Sequence, residues 1–329
     1  MRGQKSAAEI RKGERPVMIL SEADVERFTE PKELIGGLLE GFRQVARGEM
    51  QIPPRPEINI PGKGFMLSMP AWLPGGPIMV KMVNVFEGNN LIDLPNHLAT
   101  IVLFDQDTGN TLCVMDGTYV TGIRTAASAV VSVKVLARAQ AKVATVVGAG
   151  VQGREHLRLL PLVKDFEKIY VSSLVHEDAV RLADMCSIAE ATDDLEAAIR
   201  QSDVVCLATH SYQPVIESSW VQDGTHVSSV GYAPPNGELS VELIARGRLF
   251  VEDLCAFEPP PVGCAELVGI APASGLVIGK ELLKADRLRL SDTEITIYKA
   301  MGIAMEDLVA ANNVYQRAKR ADHSITAVF

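Results

Sequence analysis

The run "TVVGAGVQGREHL", Thr145–Leu157, constrains the fold of this chain more than any other stretch. An apolar, β-rich segment, "KVATVV", passes through G-x-G-x-x-G directly into a helical pattern. A backbone that bare at a strand-to-helix turn suits a dinucleotide. Gly148 makes the tight turn, Gly150 admits a pyrophosphate against the backbone, and Gly153 lets the helix pack on its strand. Free N–H groups at the helix start, from Val151 and Gln152 onward, would then hold the phosphates. The glycine pattern alone is a weak signal, with a purely structural turn as the alternative; its strand–turn–helix setting is what favours the ligand.

Downstream, "KIYVSS", "DVVCLAT", "THVSSVG" and "RLFVED" are short β-rich runs separated by helical or loop segments, the pattern of a parallel sheet. A long Ala- and Val-rich helix, "RTAASAVVSVKVLARA", leads into them, and "SDTEITIYKAMG" adds one more strand. This predicts an α/β, Rossmann-type doubly wound parallel sheet over residues 123–298. Upstream the texture changes. Ser21 with Asp24 makes a variant capping box, and Leu34, Leu38, Phe42 and Val45 recur at helical spacing behind Pro31. Short apolar runs between Pro and Gly signals, with a hairpin signal at residues 107–110, then read as an antiparallel sheet. The first part is therefore α+β, and a final amphipathic helix, "AMEDLVAANNVYQRAK", closes the chain.

At 329 residues two domains are the default. The net charge of -9 gives no support to nucleic-acid binding, so a small ligand or another protein is the expected partner. Five scattered cysteines without a C-x-x-C pair point away from zinc or dithiol chemistry and towards reduced thiols in a cytoplasm. The opening "MRGQKSAAEIRKGERP" lacks the apolar core of a signal peptide and reads as a loose tail. No apolar run approaches the ~20 residues of a membrane span.

In a dinucleotide-binding sheet an acid at the end of the second strand grips the ribose 2′-OH of NAD. Here that strand ends "IYVSS", placing Ser172 and Ser173 where the acid would stand, with no carboxylate before Glu177. A 2′-phosphate is then not repelled, and His176 or Arg181 could assist it, so NADP(H) is favoured over NAD(H). The alternative is that the serines merely cap the next helix.

Three cations stand out in the remaining sequence: Arg55 in "PPRPE", Lys81 inside "IMVKMVNVF", and Arg124 in "TGIRTAAS". Singly, each could be a solvated surface charge. Together with "VKMVNVFEGN", "LPNHLATIVLFDQDTG", "MDGTYVTGIRTAA", "VVGAGVQGREHL", "ATHSYQPVI" and "DTEITIYKAMGIAMEDLVAA", they make the chain resemble the ornithine cyclodeaminase and mu-crystallin family from Val17 to about Lys319.

That resemblance implies a homodimer whose Rossmann domain, residues 123–298, is inserted into a substrate and dimerisation domain of residues 1–122 plus 299–329. It implies that Arg55, Lys81 and Arg124 bind the substrate carboxylate, with Lys81 next to the reacting carbon. His97 matches a recurring family histidine, though a satisfied core histidine is an equal reading. Thr209 and Ser211, which follow a Rossmann strand, and Gly231, which ends a later one, fall beside the cofactor.

Two departures bear on the reaction. Cyclodeaminases carry an aspartate two residues after the glycine matching Gly231, where this chain has Ala233. They also carry a glutamate just before "MP", where this chain has Leu67 and Ser68. Both acids would hold an amino group. The sequence therefore favours an NAD(P)H-dependent reductase of a small ketimine or cyclic imino acid, or an alanine-dehydrogenase-like enzyme. An ammonia-eliminating cyclodeaminase and a non-catalytic, crystallin-like NADP-binding protein are the alternatives.

Overall fold

The computed structural model describes residues 15–323 and 325–328; the N-terminal tail lies outside the described residues. The chain groups into two units. One combines the segment up to Gly37 with Gly48–Thr121 and the segment from Ala304 onward, and the other combines Leu38–Arg47 with Gly122–Ile303.

In the first unit β1 (Pro16–Leu20) leads into α1 (Glu22–Phe28) and the start of α2 (Pro31–Ala46), which from Leu38 onward belongs to the second unit. The capping box at the start of α1 is present: the Asp24 N–H donates to Ser21 Oγ at 3.3 Å and the Ser21 N–H donates to Asp24 Oδ2 at 3.0 Å. Strands β2 (Glu57–Ile60), β3 (Gly64–Trp72), β4 (Ile78–Val85), β5 (His97–Phe104) and β6 (Thr111–Asp116) follow as an antiparallel succession. Side chains alternate across such strands, and β4 buries Met79, Lys81 and Val83 on one face. The closing helix α9 (Ala304–Arg320) packs on β3, β4 and β5 and buries Leu308, Ala311 and Val314. With β15 (Thr326–Val328) and β1 added beside β6, the sheet order is β15-β1-β6-β5-β4-β3-β2.

The second unit begins within α3 (Thr118–Leu136). It continues through β7 (Val143–Val147), α4 (Val151–Leu159), β8 (Lys168–Ser172), α5 (His176–Ala183), β9 (Ala189–Ala191), α6 (Leu195–Gln201), β10 (Val204–Leu207) and β11 (His226–Ser229). After these come α7 (Val241–Arg246), β12 (Arg248–Val251), β13 (Gly275–Val277), α8 (Ile278–Leu282) and β14 (Thr296–Lys299). All eight strands pair in parallel, in the order β13-β12-β14-β11-β10-β7-β8-β9. Every residue of β10, β11 and β14 is buried, as expected of strands covered on both faces. The chain's direction of travel reverses between β7 and β10, the place where sheets of this kind bind ligands.

Two boundaries differ from those read in the sequence. Because β14 lies inside the parallel sheet, the second unit runs on to Ile303 instead of stopping at 298. Residues 38–47 group with the second unit, where Arg43 donates to the Leu282 carbonyl and pairs with Asp286 at 2.6 Å. Neither contact leaves a trace in local periodicity. One expectation is corrected outright. α3 is long and apolar enough to cross a membrane by length and composition, but 83% of its most apolar window is buried inside the protein, as in a core helix. The five cysteines are free thiols, and burial pushes those of Cys113 and Cys206 up to about 12.

Candidate functional site

The glycine turn is built as the spacing demands. Gly148 sits at φ +108°, where L side chains are strained, and a Cβ there would stand 2.4 Å from the Ala208 carbonyl oxygen. A Cβ on Gly153 would stand 1.9 Å from the Gly148 carbonyl oxygen. Gly150, by contrast, faces open space, with nothing within 4 Å of a Cβ placed there. Gly150 caps α4 without any side-chain hydrogen bond, and the first turn holds no acid, so the helix presents its orphan N–H groups to that space. Val151 is exposed beside it, whereas Gln152 ties its amide nitrogen to the Gly122 carbonyl at 3.2 Å and leaves Oε1 buried without a partner. An open cradle with unspent donors fits a dinucleotide pyrophosphate.

At the end of β8 the Ser172 carbonyl accepts the Gly148 N–H at 2.8 Å, which locks the glycine turn onto the second strand. Ser173 caps nothing: the N-cap of α5 is Val175, without a side-chain hydrogen bond. That removes the alternative reading of the two serines. His176 stands 2.5 Å from Asp193, and Arg181 pairs with Asp178, so both are already engaged.

The other half of the sheet holds a polar cluster that the sequence reading did not contain. Glu238, fully buried, accepts four hydrogen bonds. Oε2 takes the Thr209 N–H at 2.6 Å and the Thr209 hydroxyl at 2.7 Å, while Oε1 takes the Gly231 N–H at 2.6 Å and the Ser229 hydroxyl at 3.0 Å. Lys299 donates to the Gly231 carbonyl at 2.6 Å and pairs with Glu266 at 2.9 Å. Burial lowers the pKa of that ammonium, but the carboxylate of Glu266 and its neighbours outweigh burial, and the net shift is upward. Thr209 therefore spends its hydroxyl on Glu238, and Ser211 donates its own to the Gln213 carbonyl at 2.7 Å. Their place is at the carboxyl end of β10, and each hydroxyl proton is already donated within the protein. A lysine ending the apolar strand "EITIYK" was the available signal, since a buried ammonium requires a buried partner.

In the first unit Lys81 is 1% exposed and its Nζ lies 2.7 Å from Asp307 Oδ2, itself wholly buried. Strand β4 turns Lys81 inward by simple alternation, and α9 brings Asp307 over it. Arg55 is half-buried in the segment before β2, and His97 opens β5 opposite Val85 as an exposed residue, not a core histidine. Arg124 lies on α3 in the second unit and is 6% exposed. Its guanidinium lies against Gly302: a Cβ there would stand 2.2 Å from Nη1, and Gly302 sits at φ +76°. Glu252 holds that turn by accepting the N–H groups of Met301 at 3.0 Å and Gly302 at 2.7 Å. Leu67 and Ala233, the two apolar residues at positions where the resemblance leads one to expect acids in a cyclodeaminase, are both buried.

Known proteins resemble this chain over nearly its whole length. An alanine dehydrogenase of Archaeoglobus fulgidus is 32% identical over 313 residues, covering 92% of this chain and 95% of that protein. The Δ1-pyrroline-2-carboxylate reductase of Thermococcus litoralis, solved with NADH and L-proline, superposes with a TM-score of 0.86 at 29% identity, covering 94% of this chain and 99% of that one. An archaeal alanine dehydrogenase dimer with bound NAD superposes equally well, with a TM-score of 0.86 at 30% identity, 95% of this chain and 99% of that one. A model of the ornithine cyclodeaminase/mu-crystallin family matches residues 15–322, and with the glycine cradle and parallel sheet in place, the chain belongs to that family.

Proposed function

We propose that this protein is an NAD(P)H-dependent reductase of a small ketimine or cyclic imino acid, of the pyrroline- or piperideine-2-carboxylate type, and that it yields the corresponding amino acid. After ammonia adds to a keto acid, the same groups would serve an alanine-dehydrogenase-like reaction. The observation that carries the reading is Lys81, a lysine closed to solvent and held 2.7 Å from the Asp307 carboxylate, in a chain with an open dinucleotide cradle. A bound reduced nicotinamide would supply hydride to the imine carbon. Arg55 and Arg124 are assigned to the substrate carboxylate, which the guanidinium fork matches in a bidentate manner. Lys81, oriented by Asp307, is assigned to proton delivery at the imine nitrogen, which makes the adjacent carbon electrophilic. His97 is kept as a further substrate-side residue.

Ala233, Leu67 and Ser68 support a reductase over a cyclodeaminase, since none of them can hold an amino group by charge. NADP(H) is favoured over NAD(H) because no carboxylate stands between the end of β8 at Ser172 and Glu177. The protein is proposed to be cytoplasmic and a homodimer. Exposed Ile58 and Ile60 on the sheet's edge strand, with Leu91 and Ile92 in the β4–β5 connection, are apolar surface that a second copy would cover. The test is a screen of imino and keto acids, with and without ammonia, followed by NADH and NADPH absorbance. Stoichiometric oxidation of the cofactor supports a reductase; ammonia release without net oxidation identifies a cyclodeaminase; binding without turnover of any imino or keto acid identifies a non-catalytic protein.

A further inference from the structure

The β7–β9 half of the parallel sheet carries the glycine cradle and the ribose position at the end of β8, so it takes the adenosine side of a dinucleotide. The nicotinamide side then falls to the half that starts at β10, at the carboxyl ends of its strands. Thr209 follows β10 and Gly231 follows β11, and the structure joins these two ends through one side chain: a single carboxylate takes both backbone N–H groups and both nearby hydroxyls. The backbone is shaped around that carboxylate. A Cβ on Gly231 would stand 2.3 Å from the carboxyl carbon of Glu238, and a Cβ on Gly237 would stand 2.1 Å from that of Glu266. Lys299 pairs with Glu266 at 2.9 Å, and Glu238, whose oxygens accept four donors, is buried beside them. A buried charge acts over a longer range than one screened by solvent.

We propose that Glu238 is a positioning residue for the nicotinamide half of the cleft, and that its buried charge makes the protein hold the cationic, oxidised nicotinamide more tightly relative to the reduced one than a neutral residue would. This rests on the dinucleotide reading of the cradle. The carboxylate fixes the two strand ends by its four hydrogen bonds and favours the ring bearing positive charge by Coulomb attraction. These are separable effects, since geometry acts on both redox forms and charge acts on their ratio.

The experiment is calorimetric titration of the purified protein with NAD⁺, NADH, NADP⁺ and NADPH, comparing wild type with Glu238→Gln and Glu266→Gln. Glu238→Gln is expected to weaken the oxidised form about three- to tenfold more than the reduced form, the size of a unit charge removed at close range under partial screening. Glu266→Gln keeps the four donors on Glu238 while removing the neighbouring charge, and is expected to shift the ratio in the same direction; it also serves if Glu238→Gln fails to fold. Equal weakening of both forms in every folded variant overturns the proposal and leaves Glu238 a structural brace. A wild-type protein that binds none of the four nucleotides overturns instead the dinucleotide reading on which it rests.

Discussion

Lys81 Nζ and Asp307 Oδ2 stand 2.7 Å apart, one on strand β4 and the other on helix α9, and neither is open to solvent. A buried ion pair of this kind is costly to break from one side, because the remaining charge stays buried without its partner. Lys81→Ala is expected to lower kcat for imine reduction by about 10²–10⁴, the usual contribution of a positioned proton donor, and Lys81→Arg is expected not to restore it. In urea unfolding, Asp307→Ala should cost about 3–5 kcal/mol, and Lys81→Met/Asp307→Leu should recover most of that. Near-wild-type turnover in Lys81→Ala would remove the lysine from the mechanism.

Arg124 and Gly302 make a second such relationship. A methyl on Gly302 would stand 2.2 Å from Arg124 Nη1 and would force a residue at φ +76° into strain. Gly302→Ala should therefore resemble Arg124→Ala in steady-state kinetics, each costing on the order of 2–4 kcal/mol in kcat/KM. Cofactor binding, followed by NADPH fluorescence, should survive in both. If Gly302→Ala turned over normally, the guanidinium would not need the position that the glycine allows it.

Gly153→Ala probes the cradle directly, since its Cβ would stand 1.9 Å from the Gly148 carbonyl oxygen and must push the turn out of shape. Dissociation constants for NADH and NADPH should both rise by more than about tenfold, because the helix N–H groups lose their aim at the phosphates. Unchanged fluorescence titrations in the variant would mean the pyrophosphate binds elsewhere.

Ser173→Asp tests the cofactor preference, because a carboxylate after β8 would repel a 2′-phosphate and accept a 2′-hydroxyl. The ratio of kcat/KM for NADPH over NADH should fall from above unity in the wild type to below it in the variant. A strong wild-type preference for NADH would show that the missing acid does not set the choice.

Two buried histidines predict the acid side of the stability curve. Burial pushes His156 down to about 4, and burial with the Arg289 charge pushes His226 down to about 3, so both are neutral in the folded chain at pH 7. The unfolded chain binds their protons near pH 6.5, so the folded state holds fewer protons at lower pH and stability falls as pH drops. Each histidine should subtract up to about 1.4 kcal/mol per pH unit between pH 6.5 and its folded value. Thermal melts should show Tm falling through that window, with a shallower fall in His226→Gln. Its ring bridges Ser132 and Thr296, and glutamine retains a polar group without the titration.

The sequence by itself determined whatever repeats at short range or has one chemical meaning. Gly148 and Gly153 specified their turn because a Cβ there would stand 2.4 Å and 1.9 Å from carbonyl oxygens, while Gly150 leaves the space before the helix open. Ser21 with Asp24 specified a cap for the same local reason, and β4 specified an inward Lys81 by alternation. Partners from distant segments were decided only by the tertiary structure. Asp307 reaches Lys81 because α9 packs on the first sheet; Glu238 reaches Thr209 and Gly231 because parallel strands β10 and β11 end side by side; and β14 enters between β11 and β12, which moved the end of the second unit to Ile303. A charge in an apolar run announces that it needs a counter-charge, but which residue supplies it is fixed by how the elements pack, and no local pattern in the chain encodes that.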